Sequence, residues 1–175
     1  MTAQHPPFKV LFLCTGNSAR SIFAEYFLER LGGSRFEAFS AGASPSGTVN
    51  PTTLKVLRER FNIDASDARS KSWDELRDVR FDFVITVCDH ARETCPVWPG
   101  QPIVAHWGVD DPARFIGTPA ERERFFYRVG LTLYRRLQIF TSLPLEQLDR
   151  LKLEKLTRDI GRDTAAPRAQ TDRVS

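Results

Sequence analysis

Cysteine is scarce in this sequence and odd in number, with three in 175 residues. That count excludes a permanent disulfide framework and fits redox or nucleophilic thiol chemistry in a reducing compartment. No stretch approaches about eighteen consecutive apolar residues, which removes a membrane-spanning helix. The opening segment Met1-Thr-Ala-Gln-His-Pro-Pro7 lacks a basic region followed by a long apolar core, so no signal peptide is expected and the predicted location is the cytoplasm. Charge of one sign is never gathered into a long block, and the formal net charge of +3 does not imply a nucleic-acid partner. Histidine is equally sparse. Only His90 lies near Cys88 and Cys95, and that spacing matches no structural zinc pattern, so neither His90 nor His106 is read as a metal ligand and no cofactor is expected. No internal repeat or second domain is visible. Residues 1–160 are expected to form a single domain, followed by a flexible tail over residues 161–175.

The most informative stretch present is Cys14-Thr-Gly-Asn-Ser-Ala-Arg20-Ser21. It follows the apolar run Val10–Leu13, a short buried strand, and precedes a helical pattern over residues 21–30. A thiol, five small or polar residues and an arginine between strand and helix form an oxyanion trap. The backbone amides of Thr15, Gly16, Asn17, Ser18, Ala19 and Arg20 point inward, the helix N-terminus adds positive potential, and the Arg20 guanidinium grips two oxygens. The same field favours a nucleophilic Cys14 thiolate. Ser21 serves as a hydrogen-bond donor to the sulfur, as a helix cap, or as both.

Further along, Phe36–Phe39 reads as a second strand and Asn50-Pro51 as an N-cap and first helical residue, opening a helix to about Phe61 with Leu54, Val56, Leu57 and Phe61 inward. Phe81–Val87 and Ile103–Trp107 read as buried parallel strands. Thr118-Pro119 with Glu121 signals a capped long helix carrying Phe125, Val129, Leu133 and Leu137 on one stripe. Beyond Pro144, the residues Leu145, Leu148, Leu151 and Leu153 outline one more amphipathic helix to about Arg158. Trp98 and Trp107 are expected to be packing residues. Alternating strands and helices give an α/β sandwich on four parallel strands. Ligands bind beyond the carboxyl ends of such strands, which gathers Cys14, Cys88 and Asp111 on one edge. Asp111-Pro112 is either an ordinary loop turn or a loop carboxylate held for proton transfer.

The Cys-x5-Arg-Ser turn, Ser40-Ala-Gly42 and Asp110-Asp-Pro112 together resemble the low-molecular-weight tyrosine phosphatase superfamily. Val87-Cys88-(x6)-Cys95-Pro96 and His106-Trp-Gly-Val-Asp-Asp-Pro-Ala113 are more similar to its thioredoxin-coupled arsenate reductases, over about Phe8 to Phe140. The resemblance implies flavodoxin-like strand order 2-1-3-4, Asp111 as general acid, and Ser21 as donor to the Cys14 sulfur. It also implies a relay. Cys14 attacks arsenate, Cys88 attacks Cys14 and releases arsenite, and Cys95 attacks Cys88 to leave a disulfide for thioredoxin or another thiol reductant. Phosphate or sulfate would mimic arsenate, and neither a membrane nor a nucleic acid enters the scheme. Between Cys88 and Cys95 a helix would span about 10 Å, beyond the roughly 7 Å a disulfide allows, so the intervening segment must loop or unwind. The alternative is a low-molecular-weight phosphatase hydrolysing phosphotyrosine through a cysteinyl-phosphate, although Ala113 stands where such enzymes usually place an aromatic residue. Ala19 replaces a second loop cysteine found in relatives. Asn17, Glu25 and Ser40 match positions that hold potassium in some reductases, but Lys71 stands where the completing carboxylate would be and offers an ammonium that could take the place of the cation, so no potassium site is expected.

Overall fold

The computed structural model describes residues 5–162. Four strands, β1 (Phe8–Cys14), β2 (Phe36–Gly42), β3 (Phe83–Thr86) and β4 (Ile103–His106), form one sheet in the order β2-β1-β3-β4 with every pairing parallel. The helices are α1 (Arg20–Gly32), α2 (Pro51–Phe61), α3 (Asp89–Thr94), α4 (Pro119–Ser142) and α5 (Arg150–Gly161). Both faces of the sheet are covered. Successive residues of β1 from Val10 to Cys14 are all buried, which the two-fold alternation of a strand permits only when layers pack on each side. On one side Phe140 of α4 meets Phe36, Phe83 and Trp107 at ring distances of 5.1–5.6 Å; elsewhere Phe81 packs edge-on between Phe39 and Trp98.

The caps read from the sequence form where expected. Asn50 accepts from the Thr52 amide ahead of Pro51, and Thr118 accepts from the Glu121 amide ahead of Pro119. Several boundaries move. The second strand extends past Phe39 to Gly42, because its last residues pair with Phe12, Leu13 and Cys14 of β1. The third is shorter than Phe81–Val87, yet Asp82 still donates to Lys9 and Val87 to Leu13 from just outside it. In α2 the inward positions are Thr53, Val56 and Leu57, with Leu54 and Phe61 only half buried.

The last helix requires a correction. Leu151 is 79% exposed rather than inward. Asp149 caps the Lys152 amide and starts α5 at Arg150, so the inward face is set by Leu153, Thr157 and Ile160, while Leu145 belongs to a separate short turn. α5 lies along β4. The Trp107 indole donates to the Thr157 carbonyl at 2.9 Å, Arg158 donates to the Val104 carbonyl at 3.4 Å and Arg150 to the Gln101 carbonyl at 2.7 Å. The helix continues past the expected end at Arg158 to Gly161. Of the tail expected from Gly161, that first residue is helical, and residues 163–175 lie outside the described residues. Among the described residues, no helix is long and apolar enough to cross a membrane.

Candidate active site

The loop between β1 and α1 is turned inside out by its neighbours. The Cys14, Thr15, Gly16 and Ser18 carbonyls accept from the backbone amides of Ala43, Ser44, Ser46 and Asn50 at 2.9–3.1 Å. The hydroxyls of Ser70 and Thr53 add bonds at 3.0 Å to the Gly16 and Ser18 carbonyls. With the carbonyls drawn outward, the amides are left facing the concave side, the arrangement that receives an anion. Asn17 supplies the bend with φ +46°, a left-handed conformation that asparagine tolerates. Gly42 allows the close approach of β2, since a Cβ there would lie 2.5 Å from the Thr15 carbonyl oxygen.

Cys14 sits at the base, 2% exposed. The Asn17 amide donates to its Sγ at 3.2 Å, and Ser21 Oγ lies 2.8 Å from the same sulfur. The direction of the second bond follows from the wiring behind it. Lys71 N–H donates to Asn17 Oδ1, which turns Asn17 Nδ2 toward Ser21 Oγ at 2.8 Å and Ser40 Oγ at 3.0 Å. Ser21 therefore accepts from Asn17 and donates its own proton to Cys14, as a thiolate requires. Ser40 in turn donates to Glu25 at 3.3 Å. Burial pushes the Glu25 carboxyl up to about 7, opposed by Lys71, whose Nζ stands 3.9 Å away. Asn17, Ser40, Glu25 and Lys71 thus form one cluster. Its cation is the chain's own Lys71 ammonium.

Arg20 opens α1 and reaches Asp111 Oδ2 at 3.4 Å and the Val109 carbonyl at 3.5 Å. Asp111 is held from its other side. Its Oδ1 caps the Ala113 amide at the short turn Pro112–Arg114, where Pro112 fixes the backbone. Cys88 ends the β3 side of the cleft, 4% exposed, with Sγ 3.3 Å from Thr15 Oγ1 and accepting from the Ala91 amide at the start of α3. A cleft of about 1060 Å³ is lined by Cys14, the loop, Arg20, Cys88 and Asp111 together. All three thiols are free.

Cys95 is not in that cleft. It lies at the far end of α3 and faces an adjacent cavity of about 380 Å³ that also reaches His106. Burial pushes its thiol up from the ordinary cysteine range. Two participants were not legible in the sequence. Thr15 counted only as a backbone amide, yet its hydroxyl links the Cys14 loop to Cys88. His106 hydrogen-bonds Thr86 and Asp89, at 2.8 Å and 3.0 Å, and touches no metal cluster among the described residues. The -Thr86-Val-Cys88- strand end is the local signal that points to the first of these contacts.

Comparison with known proteins gives the family. The family model for low molecular weight phosphotyrosine protein phosphatase matches residues 9–130. An arsenate reductase of Halalkalibacterium halodurans is 38% identical over 133 residues, covering 76% of this chain and 94% of that protein. A solved arsenate reductase in a phosphate-binding state superposes with a TM-score of 0.65 at 28% identity, covering 77% of this chain and 97% of the other. The thioredoxin-dependent arsenate reductase of Corynebacterium glutamicum gives 0.55 at 29% identity over 79% of this chain and 65% of its own. The matched region holds the anion loop, both sheet-end cysteines and Asp111, and on that shared frame the chain belongs to the low molecular weight phosphotyrosine protein phosphatase family, beside its arsenate reductases.

Proposed function

We propose that this protein reduces arsenate to arsenite by a Cys14–Cys88–Cys95 relay, recycled by thioredoxin in the cytoplasm. One observation carries the reading: two thiols, Cys14 and Cys88, line the same anion cleft, joined through the Thr15 hydroxyl. A phosphatase has use for only the first. The similar proteins named arsenate reductases, one of them thioredoxin-dependent, favour the same activity.

The loop amides and Arg20 hold arsenate with its arsenic against the Cys14 sulfur, while Ser21 and the Asn17 amide support the thiolate. Attack forms an S–As bond, and the departing oxygen leaves as water with a proton from Asp111. The Cys88 thiolate then attacks Cys14 Sγ. The S–As bond breaks, its electron pair stays on arsenic, and arsenite departs from a Cys14–Cys88 disulfide. Cys95 attacks Cys88 in turn, returning Cys14 as thiolate and leaving Cys88–Cys95 for two electrons from thioredoxin. Free thiols of this kind need a reducing compartment.

Arsenate-dependent NADPH oxidation with thioredoxin and its reductase is the direct assay. Cys95→Ser is expected to stop after one turnover with a Cys14–Cys88 disulfide, seen by mass spectrometry as the loss of two hydrogens. A parent that cleaves aryl phosphates rapidly and never reduces arsenate would overturn this reading in favour of phosphotyrosine hydrolysis.

A further inference from the structure

The disulfide that ends the relay is incompatible with the fold of the segment between its cysteines. Cys88 is the N-cap of α3 and Cys95 its C-cap, with Asp89–Thr94 helical between them. Seven helical steps separate the two Cα atoms by about 10 Å along the axis, and a disulfide tolerates at most about 7 Å. Whatever stabilises α3 therefore opposes oxidation of the pair. The helix has little intrinsic stability, being six residues long with Ala91 as its single buried residue.

One side chain from outside ties it down. His106, the last residue of β4, has Nδ1 2.8 Å from Thr86 Oγ1 and Nε2 3.0 Å from Asp89 Oδ1. A carboxylate only accepts, so Nε2 carries the proton toward Asp89, and in the neutral ring Nδ1 is then the acceptor of the Thr86 hydroxyl. Register places Thr86 directly beside His106 on adjacent strands, so the ring is fixed by the sheet. From behind, α5 closes on the same residue, since a Cβ on Gly161 would lie 2.1 Å from the His106 carbonyl oxygen. Asp89 is the first residue of α3 and the immediate neighbour of Cys88.

We propose that His106 is a positioning residue for the relay: through Thr86 on one side and Asp89 on the other, it latches α3 in the helical form and sets how readily Cys88 and Cys95 join. The proposal rests on the relay reading given above. Asp89 must leave its place at the first helical position when the six-residue segment opens, and the His106–Asp89 bond is lost with it. Cys88 gains from the latch before that moment, because the helix start that His106 anchors is the one whose Ala91 amide points at the Cys88 sulfur.

The test isolates the pair in a Cys14→Ser background, where Cys88 and Cys95 are the thiols remaining. The protein is equilibrated in dithiothreitol redox buffers, alkylated, and the Cys88–Cys95 disulfide counted by mass spectrometry. Side-chain length makes glutamine the mimic of Nε2 and asparagine that of Nδ1. His106→Asn is expected to raise the equilibrium constant for disulfide formation by about two- to fivefold, as loss of one part-exposed charged hydrogen bond implies. His106→Gln, which can still reach Asp89, is expected to match the parent. Asp89→Ala is expected to raise the constant as well, and the double variant Asp89→Ala/His106→Asn to exceed it by less than the product of the two singles. A merely structural role would lower the thermal midpoint without this coupling. Equal constants in parent and His106→Asn, or fully multiplicative effects, would overturn the latch while leaving the relay intact. No Cys88–Cys95 disulfide in any variant would overturn the relay and the latch together.

Discussion

Glu25 makes a quantitative prediction about stability. It is buried beneath the anion loop, and burial raises its ionisation from 4.5 to about 7 despite the attraction of Lys71, with Glu29 and Asp67 adding to the rise. Between those two values the folded protein keeps the proton and the unfolded chain releases it. Stability therefore falls as pH rises through that window and the loss is complete above about 7. From about pH 5 to about pH 8 this group alone removes about 2–3 kcal/mol. Glu25→Gln removes the titration while keeping an acceptor for Ser40. Urea unfolding of parent and variant at the two pH values reads the effect as a difference of slopes, to which the other titrating groups contribute equally. Above about 7, where Glu25 of the parent has ionised, Lys71 loses its charged partner in the variant, so Glu25→Gln/Lys71→Met is the companion that removes both charges. Equal slopes in parent and both variants, or a parent that gains more from rising pH than Glu25→Gln does, would refute the assignment of the raised carboxyl to Glu25.

Ser21→Ala removes the hydroxyl that donates to Cys14, and alkylation of Cys14 by iodoacetamide near neutral pH is expected to slow about tenfold; an unchanged rate would remove Ser21 from that role. Gly42→Ala drives a Cβ into the Thr15 carbonyl. Phosphate affinity by calorimetry is expected to weaken about tenfold with the circular dichroism spectrum retained, and parent-like affinity would show that β2 does not brace the loop. Arg20→Lys exchanges a two-pronged donor for a single ammonium and is expected to weaken phosphate binding by about tenfold, checked by the same titration.

The readable parts of this molecule are those decided within a few residues. Asn50-Pro51 and Thr118-Pro119 mark their helices because a cap and a fixed φ act locally. The order strand, loop, helix around Cys14 is legible for the same reason, and the strand-end rule brings Cys88 and Asp111 beside it. What escaped depends on partners distant in sequence. Leu151 keeps the spacing of an inward residue, but the phase of α5 is set by Asp149 and by Trp107, which bonds Thr157 from fifty positions away. Orientation of the Ser21 proton depends on Lys71 fixing Asn17, a contact across 54 positions that no local pattern encodes. Cys95 looked equivalent to Cys88 by residue type, and only the helix between them shows that the two face different cavities.

The placement of α5 also bears on how this protein meets other chains. β4 is an outer strand, and in a parallel ladder alternate residues turn their backbone groups away from the neighbouring strand. Ile103 bonds inward to Asp82, so Val104 presents its carbonyl outward, and that carbonyl is the one Arg158 occupies, while Arg150 takes the Gln101 carbonyl just before the strand. An uncovered row of this kind is a template on which a foreign strand can add itself, the first step of edge-to-edge aggregation. The helix α5, which lies beyond the region matched by the family model, thereby occupies carbonyls on this margin that a foreign strand would otherwise take.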